Sequence, residues 1–368
     1  WTGLTLFILK LSNFMKKANT SQILDNLEIN HDAIVHEYPF PISFWYKKIL
    51  DGEKTAEKLI AVFKTYENII TFLSILLLGF YNEEEDKTGN NISNLINSNF
   101  NDWFDFFDTT VKHQSFENFM FKDIQAWYKN LDKNKEIILK EAKYSQRFSK
   151  NFSTLSSLNE IRNNIFPILT IMTDEEVHSC FIFSYACLQK ILKNFDFVMN
   201  YPLCYKAKAQ TKILMGTIED FKTIDIENYD KEIKIMDVFS YDIKNKKSCL
   251  LTPFIIYQEC YYCIKENNKE IKELFLFDGI SSSRGLYRGY KHNAALKSSF
   301  SEVKRILEKI NKNSNKIEAI ENIWELSFQN IQEISSDYDG SYYSRNKEEY
   351  VINNFIKDHS KPLFIIAG

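Results

Sequence analysis

Between Leu59 and Phe80 apolar residues recur at steps of three and four: Leu59, Val62, Phe63, Tyr66, Ile69, Ile70, Leu73, Leu76, Leu77 and Phe80. That spacing lines one face of a helix. Toward Phe80 the apolar positions close around the whole circumference, which predicts a helix at the centre of a bundle. Residues 42–200 read as helical throughout, apart from a polar, acidic loop at Asn82–Asn99 containing Gly89-Asn90. Asn101–Phe107 reads as an aromatic, acidic helix start, and Leu131–Phe152 as a charged helix with a thin apolar stripe. A further helix begins at Thr173, where Thr173 and Glu176 have capping-box spacing and Asp174 and Glu175 suit the positive helix end. Val177, Phe181, Ser184, Leu188, Ile191, Phe195 and Val198 continue its repeat.

The pattern changes at Tyr201-Pro202. Short β-prone runs follow at Leu203–Tyr205, Lys212–Met215, Glu232–Tyr241, Cys249–Glu259, Glu273–Phe277 and Leu286–Tyr290. The stretch from Asp278-Gly279 to Arg284-Gly285 links the last two as a hairpin. Helix returns at Leu296–Ile310 and Ile317–Ile334, and a polar loop spans Ser335–Ser344. The final run, Lys361–Gly368, is apolar and ends in Gly, as a strand buried on both faces would. The expected fold class is therefore α+β: a mainly α-helical bundle, a small antiparallel β module and a helical linker. The boundaries fall at 1–37 for an N-terminal extension, 38–200 for the bundle, 201–293 for the β module and 294–343 for the linker. Residues 344–368 read as the start of a further domain whose remainder lies downstream. The segment before Met15 is read as translated upstream sequence or the tail of a preceding helix.

Composition refines this picture. The 368 residues are 44% hydrophobic and 26% charged, enough to bury a sizeable core. Thirty Phe and 20 Tyr against 10 Gly and 6 Pro favour long helices over tight turns. The net charge of -3 supplies no global basic field for nucleic acid, and the local run of Lys244, Lys246 and Lys247 stands among acidic residues. The longest apolar run, Ile69–Phe80, is too short to span a bilayer. The six cysteines, Cys180, Cys187, Cys204, Cys249, Cys260 and Cys263, are dispersed, and reduced thiols are expected. A soluble, cytoplasmic protein without membrane contact is predicted.

Three stretches together carry a family resemblance. They are Tyr38-Pro39-Phe40-Pro41 with Trp45–Leu50; Leu158–Asn164 with Thr173–Glu176; and Tyr201-Pro202-Leu203 with Pro253–Cys263 and Leu274–Gly279. Their order over residues 38–290 resembles the N-terminal region of bacterial multidomain signalling proteins. In those proteins a HEPN-like helical domain and a small β module precede an effector, often a STAND-type P-loop NTPase. The resemblance implies a regulatory role in signalling or phage defence, with a protein partner or self-association. It also implies that ATP or GTP with Mg²⁺ would bind only in a domain beyond Gly368, the glycine that would open the phosphate-binding loop.

Four clusters are candidates for chemistry. Catalytic HEPN domains place a His after an Arg with four to six residues between them, the Arg to hold phosphate and the His for proton chemistry. Arg162-Asn163 supplies the first half, but positions 167–169 are Pro167, Ile168 and Leu169. Arg162 is accordingly expected to pair with an acidic neighbour and order a helix end. An RNA-cleaving site completed by His178 from the next helix is the alternative. Cys260-x-x-Cys263 is half of a zinc site and lacks a second pair, so ordinary thiols at a turn are expected and no cofactor is assigned. Asp337 and Asp339 lack the further ligands of a calcium loop and read as solvated. Trp103, Phe104, Phe106, Phe107, Trp127 and Tyr128 are interleaved with Asp102, Asp105 and Asp108, which favours bundle core over base stacking.

Overall fold

The structure is a computed structural model describing residues 29–83, 95, 99–133, 154–208, 210–217, 221–226, 229–260, 271–281, 284–289, 295–299, 303 and 305–307. These all lie within one compact unit, Trp1–Ile317; a second unit, Glu318–Gly368, lies outside the described residues. The fold is α+β, helices first and antiparallel sheets after. The helices are α1 (His31–Glu37), α2 (Phe40–Asp51), α3 (Thr55–Glu83), α4 (Phe100–His113), α5 (Phe119–Lys133), α6 (Thr154–Ile165) and α7 (Asp174–Leu192), with 3₁₀ turns at Phe166–Ile171 and Asp196–Asn200.

Helix α3 is the axis of the bundle. Its apolar face widens as the sequence pattern requires, and Leu59, Val62, Phe63, Tyr66, Ile69, Ile70, Leu73 and Leu77 are fully buried. It is long and apolar enough to cross a membrane, yet it is packed inside the protein as a core helix. Helices α2, α4 and α7 pack around it. The ends of α4 and α7 are fixed by local chemistry. At α7 the Thr173 hydroxyl accepts from the Glu176 N–H (3.4 Å) and the Glu176 carboxylate accepts from the Thr173 N–H (2.8 Å). At α4 the same reciprocal box joins Asn99 and Asp102. The six aromatics read as core are buried.

The first sheet has order β3-β2-β1-β4-β5, from β1 (Leu203–Lys206), β2 (Thr211–Ile213), β3 (Thr223–Ile224), β4 (Val238–Asp242) and β5 (Lys247–Leu250). The second is a meander of β6 (Ile255–Cys260), β7 (Ile271–Ser281), β8 (Arg284–Gly289) and β9 (Ala295–Ser299). Helix gives way to strand where expected, between Asn200 and Leu203, but the apolar core crosses this point without a break. Tyr38-Pro39 helps to join the two parts. The Tyr38 hydroxyl donates to Asp196 (2.7 Å), Phe40 N–H to Leu214 O (3.0 Å), and Gly216 N–H to Tyr38 O (2.8 Å). Trp103 of α4 meets Phe277 of β7 edge-on at 6.2 Å. A smaller cluster of Cys204, Ile226, Phe239 and Tyr241 lies on the other face of the first sheet.

Several strand expectations need correction. The run Cys249–Glu259 is two strands in different sheets, because Pro253, which lacks an N–H, falls between them. Only the end of Glu232–Tyr241 is strand; at Lys234 the N–H is taken by the Asp237 carboxylate in a turn (2.7 Å). The expected helix at Leu296–Ile310 starts with β9, which pairs with β8 from Ala295 to Ser299; helix is present at 303 and 305–307. Asp278-Gly279 sits inside β7 at a bulge rather than at the hairpin tip.

One close approach governs how helix and sheet meet. A Cβ at Gly79 of α3 would lie 2.7 Å from Cys249 Sγ and 3.1 Å from Leu250 O. Gly79→Ala should therefore lower stability by about 1–2 kcal/mol despite the better helix propensity of Ala, because overpacking outweighs it. Adding Cys249→Ala should restore part of the loss, as read by thermal melting of the three proteins.

Candidate functional site

Arg162 stands in the last turn of α6. Leu155, Leu158, Ile161 and Ile165 form the buried stripe of that helix, which leaves Arg162 at the margin of the core facing α3. The Tyr66 hydroxyl donates to Leu155 O (3.0 Å) and pins the two helices together. The next residue of α3, Glu67, receives the guanidinium: Arg162 Nε and Nη2 both donate to Glu67 Oε1, at 2.8 and 2.5 Å. Nη1 donates to Asn163 Oδ1 at 2.8 Å. The other oxygen of Glu67 accepts from Lys64 Nζ at 2.6 Å.

The guanidinium is also held between rings, 4.8 Å from the centroid of Phe100 and 5.7 Å from that of Phe166. Asn163 reaches the other way and donates to Asn101 Oδ1 (2.8 Å) at the start of α4. Three helices thus meet at Arg162, Glu67 and Asn163. Opposite Lys64 and Glu67, the β7 bulge presents Asp278, whose carboxyl burial pushes up while Arg288 and Lys64 pull it down. Asp278 pairs with Arg288 at 2.6 Å. The Glu160 carboxyl is raised by burial, and its Oε2 has no hydrogen-bond partner among the described residues.

The arrangement can carry load but is poorly placed to bind phosphate. Three of the five guanidinium donors are engaged, and the Glu67 carboxylate neutralises the charge that phosphate would need. His178 is exposed on α7, and no hydrogen bond of the described residues joins it to Arg162. Positions 167–169 lie in the 3₁₀ turn and hold Pro, Ile and Leu.

The other candidates do not converge. Cys263 lies outside the described residues; Cys260 ends β6, paired through its backbone with Ile271. Cys204 and Cys249 cannot join to complete a site, since they belong to the two different apolar clusters on opposite faces of the first sheet. Burial pushes the Cys180, Cys187 and Cys204 thiols up to about 12 and Cys249 well above its ordinary value, so none is a thiolate at neutral pH. Among the described residues no group of three or more His, Cys, Asp or Glu stands close enough to hold a metal ion. Gly368, Asp337 and Asp339 lie outside the described residues.

Sequence reasoning missed Glu67 and Lys64. The available signal was Glu67-Asn68, two polar residues set between the buried Tyr66 and Ile69, with Lys64 one turn before Glu67. Comparison of the chain with family models, with curated proteins and with solved structures found no match.

Proposed function

We propose that this chain is a non-catalytic regulatory or protein-interaction region of a larger cytoplasmic bacterial protein, of the signalling or phage-defence kind built on a STAND-type NTPase. ATP or GTP with Mg²⁺ would then act in the domain beyond Gly368. The observation that carries the reading is the Arg162–Glu67 ion pair. It commits to the fold the one arginine that a HEPN-type ribonuclease would hold free for phosphate. A protein-contact role gains support from the adjoining 3₁₀ turn. Phe166–Ile171 holds no buried residue although it is mostly apolar, and Phe166 and Ile171 are 38% and 68% exposed. Apolar side chains left exposed together on one turn favour a contact surface there.

The test is incubation of the full chain with single-stranded RNA. We expect no cleavage above buffer and no difference between wild type and Arg162→Ala. Cleavage by the wild type that Arg162→Ala abolishes, and that Arg162→Lys retains in part, overturns the proposal in favour of a ribonuclease.

A further inference from the structure

The 3₁₀ turn Phe166–Ile171 stays out of the core for a local reason. Pro167 has no N–H to donate to a carbonyl four residues back, so α6 stops at Ile165 and the chain runs over the surface. Phe166 is held from its inner side: its ring lies 6.3 Å from that of Phe63, and Lys64 and Arg162 each stand 5.7 Å from its centre. Ile171, at the far end, is 68% exposed. Asp174 and Glu175, in the first turn of α7, are exposed as well. Three or four residues of chain keep them within about 14 Å of Ile171.

The charge on offer at this surface has one sign. Lys64 and Arg162 are both taken by Glu67, and the Glu176 carboxylate by the Thr173 N–H. No Lys or Arg occurs from Asn163 to Gln189, although the chain carries 46 of them in 368 residues. No ion pair of the described residues reaches Asp174 or Glu175. Their placement suits the positive end of α7, but that role requires neither an exposed Ile171 nor a turn without cations.

We propose that the turn and the start of α7 form one docking surface for a basic, amphipathic segment of a partner protein. This rests on the non-catalytic, protein-contact reading above and names the chemistry of the partner. Apolar side chains of the segment cover Ile171 and the outer side of Phe166, and its Lys or Arg residues meet Asp174 and Glu175. Other occupants match the charge less well. A second copy, brought turn to turn about a two-fold axis, sets the Asp174 and Glu175 carboxylates of the two chains against each other. RNA and an anionic bilayer present phosphates, which the same carboxylates repel.

The test uses the full chain and two fluorescent peptides of about 18 residues, each with Leu at three-four spacing. The remaining positions are Lys in one peptide and Glu in the other. Anisotropy titrations should show the Lys peptide bound at least about tenfold more tightly than the Glu peptide, and less tightly as salt is added. Ile171→Ser should weaken the Lys peptide about tenfold through lost apolar burial. Asp174→Asn with Glu175→Gln should weaken it about tenfold through lost charge. Glu53→Gln with Asp105→Asn, which removes the same charge from exposed positions on other parts of the bundle, should leave binding unchanged. Circular dichroism confirms that each variant is folded; if the α7 variant is not, Ile171→Ser and the peptide pair are read by the same outcomes. No binding, or equal binding of the two peptides, overturns the proposal. So does an unchanged affinity in Ile171→Ser, or an equal loss in the α7 variant and its charge control. Binding to phosphatidylserine vesicles that Ile171→Ser abolishes overturns it in favour of a membrane surface. The non-catalytic reading is tested apart from this, by RNA cleavage, so either can fail alone.

Discussion

Trp127→Ala should lower the stability of the protein by about 4 kcal/mol, the range for truncating a buried aromatic. Trp127 is 2% exposed, and its ring lies 4.9 Å from Phe195, 6.3 Å from Phe197 and 6.4 Å from Phe107. It also does something an apolar residue cannot. Its Nε1–H donates to Ile191 O at 2.9 Å. Ile191 is in the last turn of α7, where carbonyls have no partner within the helix. Trp127 thus closes the end of α7 from α5 while filling the space beneath the 3₁₀ turn. Trp127→Phe separates the two contributions. It keeps most of the ring and leaves the carbonyl unpaired, so it should cost only about 1–2 kcal/mol. Urea midpoints of the two variants, at an unchanged slope, check this. A Trp127→Phe loss equal to the Ala loss would show that the hydrogen bond, not packing, dominates.

The features that were legible in the sequence are those set by neighbours along the chain. Helix α3 follows from its three-four repeat, and the start of α7 from the Thr173–Glu176 spacing, since capping partners are three residues apart. The box at Asn99 and Asp102 has the same spacing but straddles the loop read at Asn82–Asn99 and the helix start read at Asn101–Phe107, because Asn and Asp are turn formers as well as caps. What escaped depends on partners distant in the chain. Residues 295–299 have no strong strand pattern of their own and are strand because β8 offers an open edge. Leu250 and Ile255 are near in sequence yet enter different sheets: Pro253 breaks the run between them, and packing decides which sheet each part joins. At the candidate site, the expectation that Arg162 meets an acidic neighbour agrees with the geometry. The identity of that neighbour, Glu67, is 95 positions away and follows only from the crossing of α3 and α6.

The energetics of that pair decide how the site is to be understood. Arg162 and Glu67 are 21% and 11% exposed at their side chains, so neither charge is fully hydrated and neither is fully buried. Removing one partner from a buried pair strands the other, whereas an exposed pair contributes little either way. Arg162→Ala should destabilise by about 2–3 kcal/mol. It leaves Glu67 with Lys64 alone and empties the space between Phe100 and Phe166. Glu67→Ala should cost less, about 1–2 kcal/mol, because Arg162 keeps Asn163 and some access to water. The double variant should lose less than the sum, with a coupling of about 1–2 kcal/mol that added salt changes little, since screening acts weakly on partly buried charges. Chemical denaturation of the four proteins of the cycle gives this number directly. A coupling below about 0.5 kcal/mol, or one erased by salt, is the signature of a surface pair. Arg162 would then be held too loosely to be reserved for the fold, and its guanidinium would be free to meet a phosphate. A full coupling makes Arg162 a structural tie between α3 and α6, which is the role a non-catalytic region requires of it.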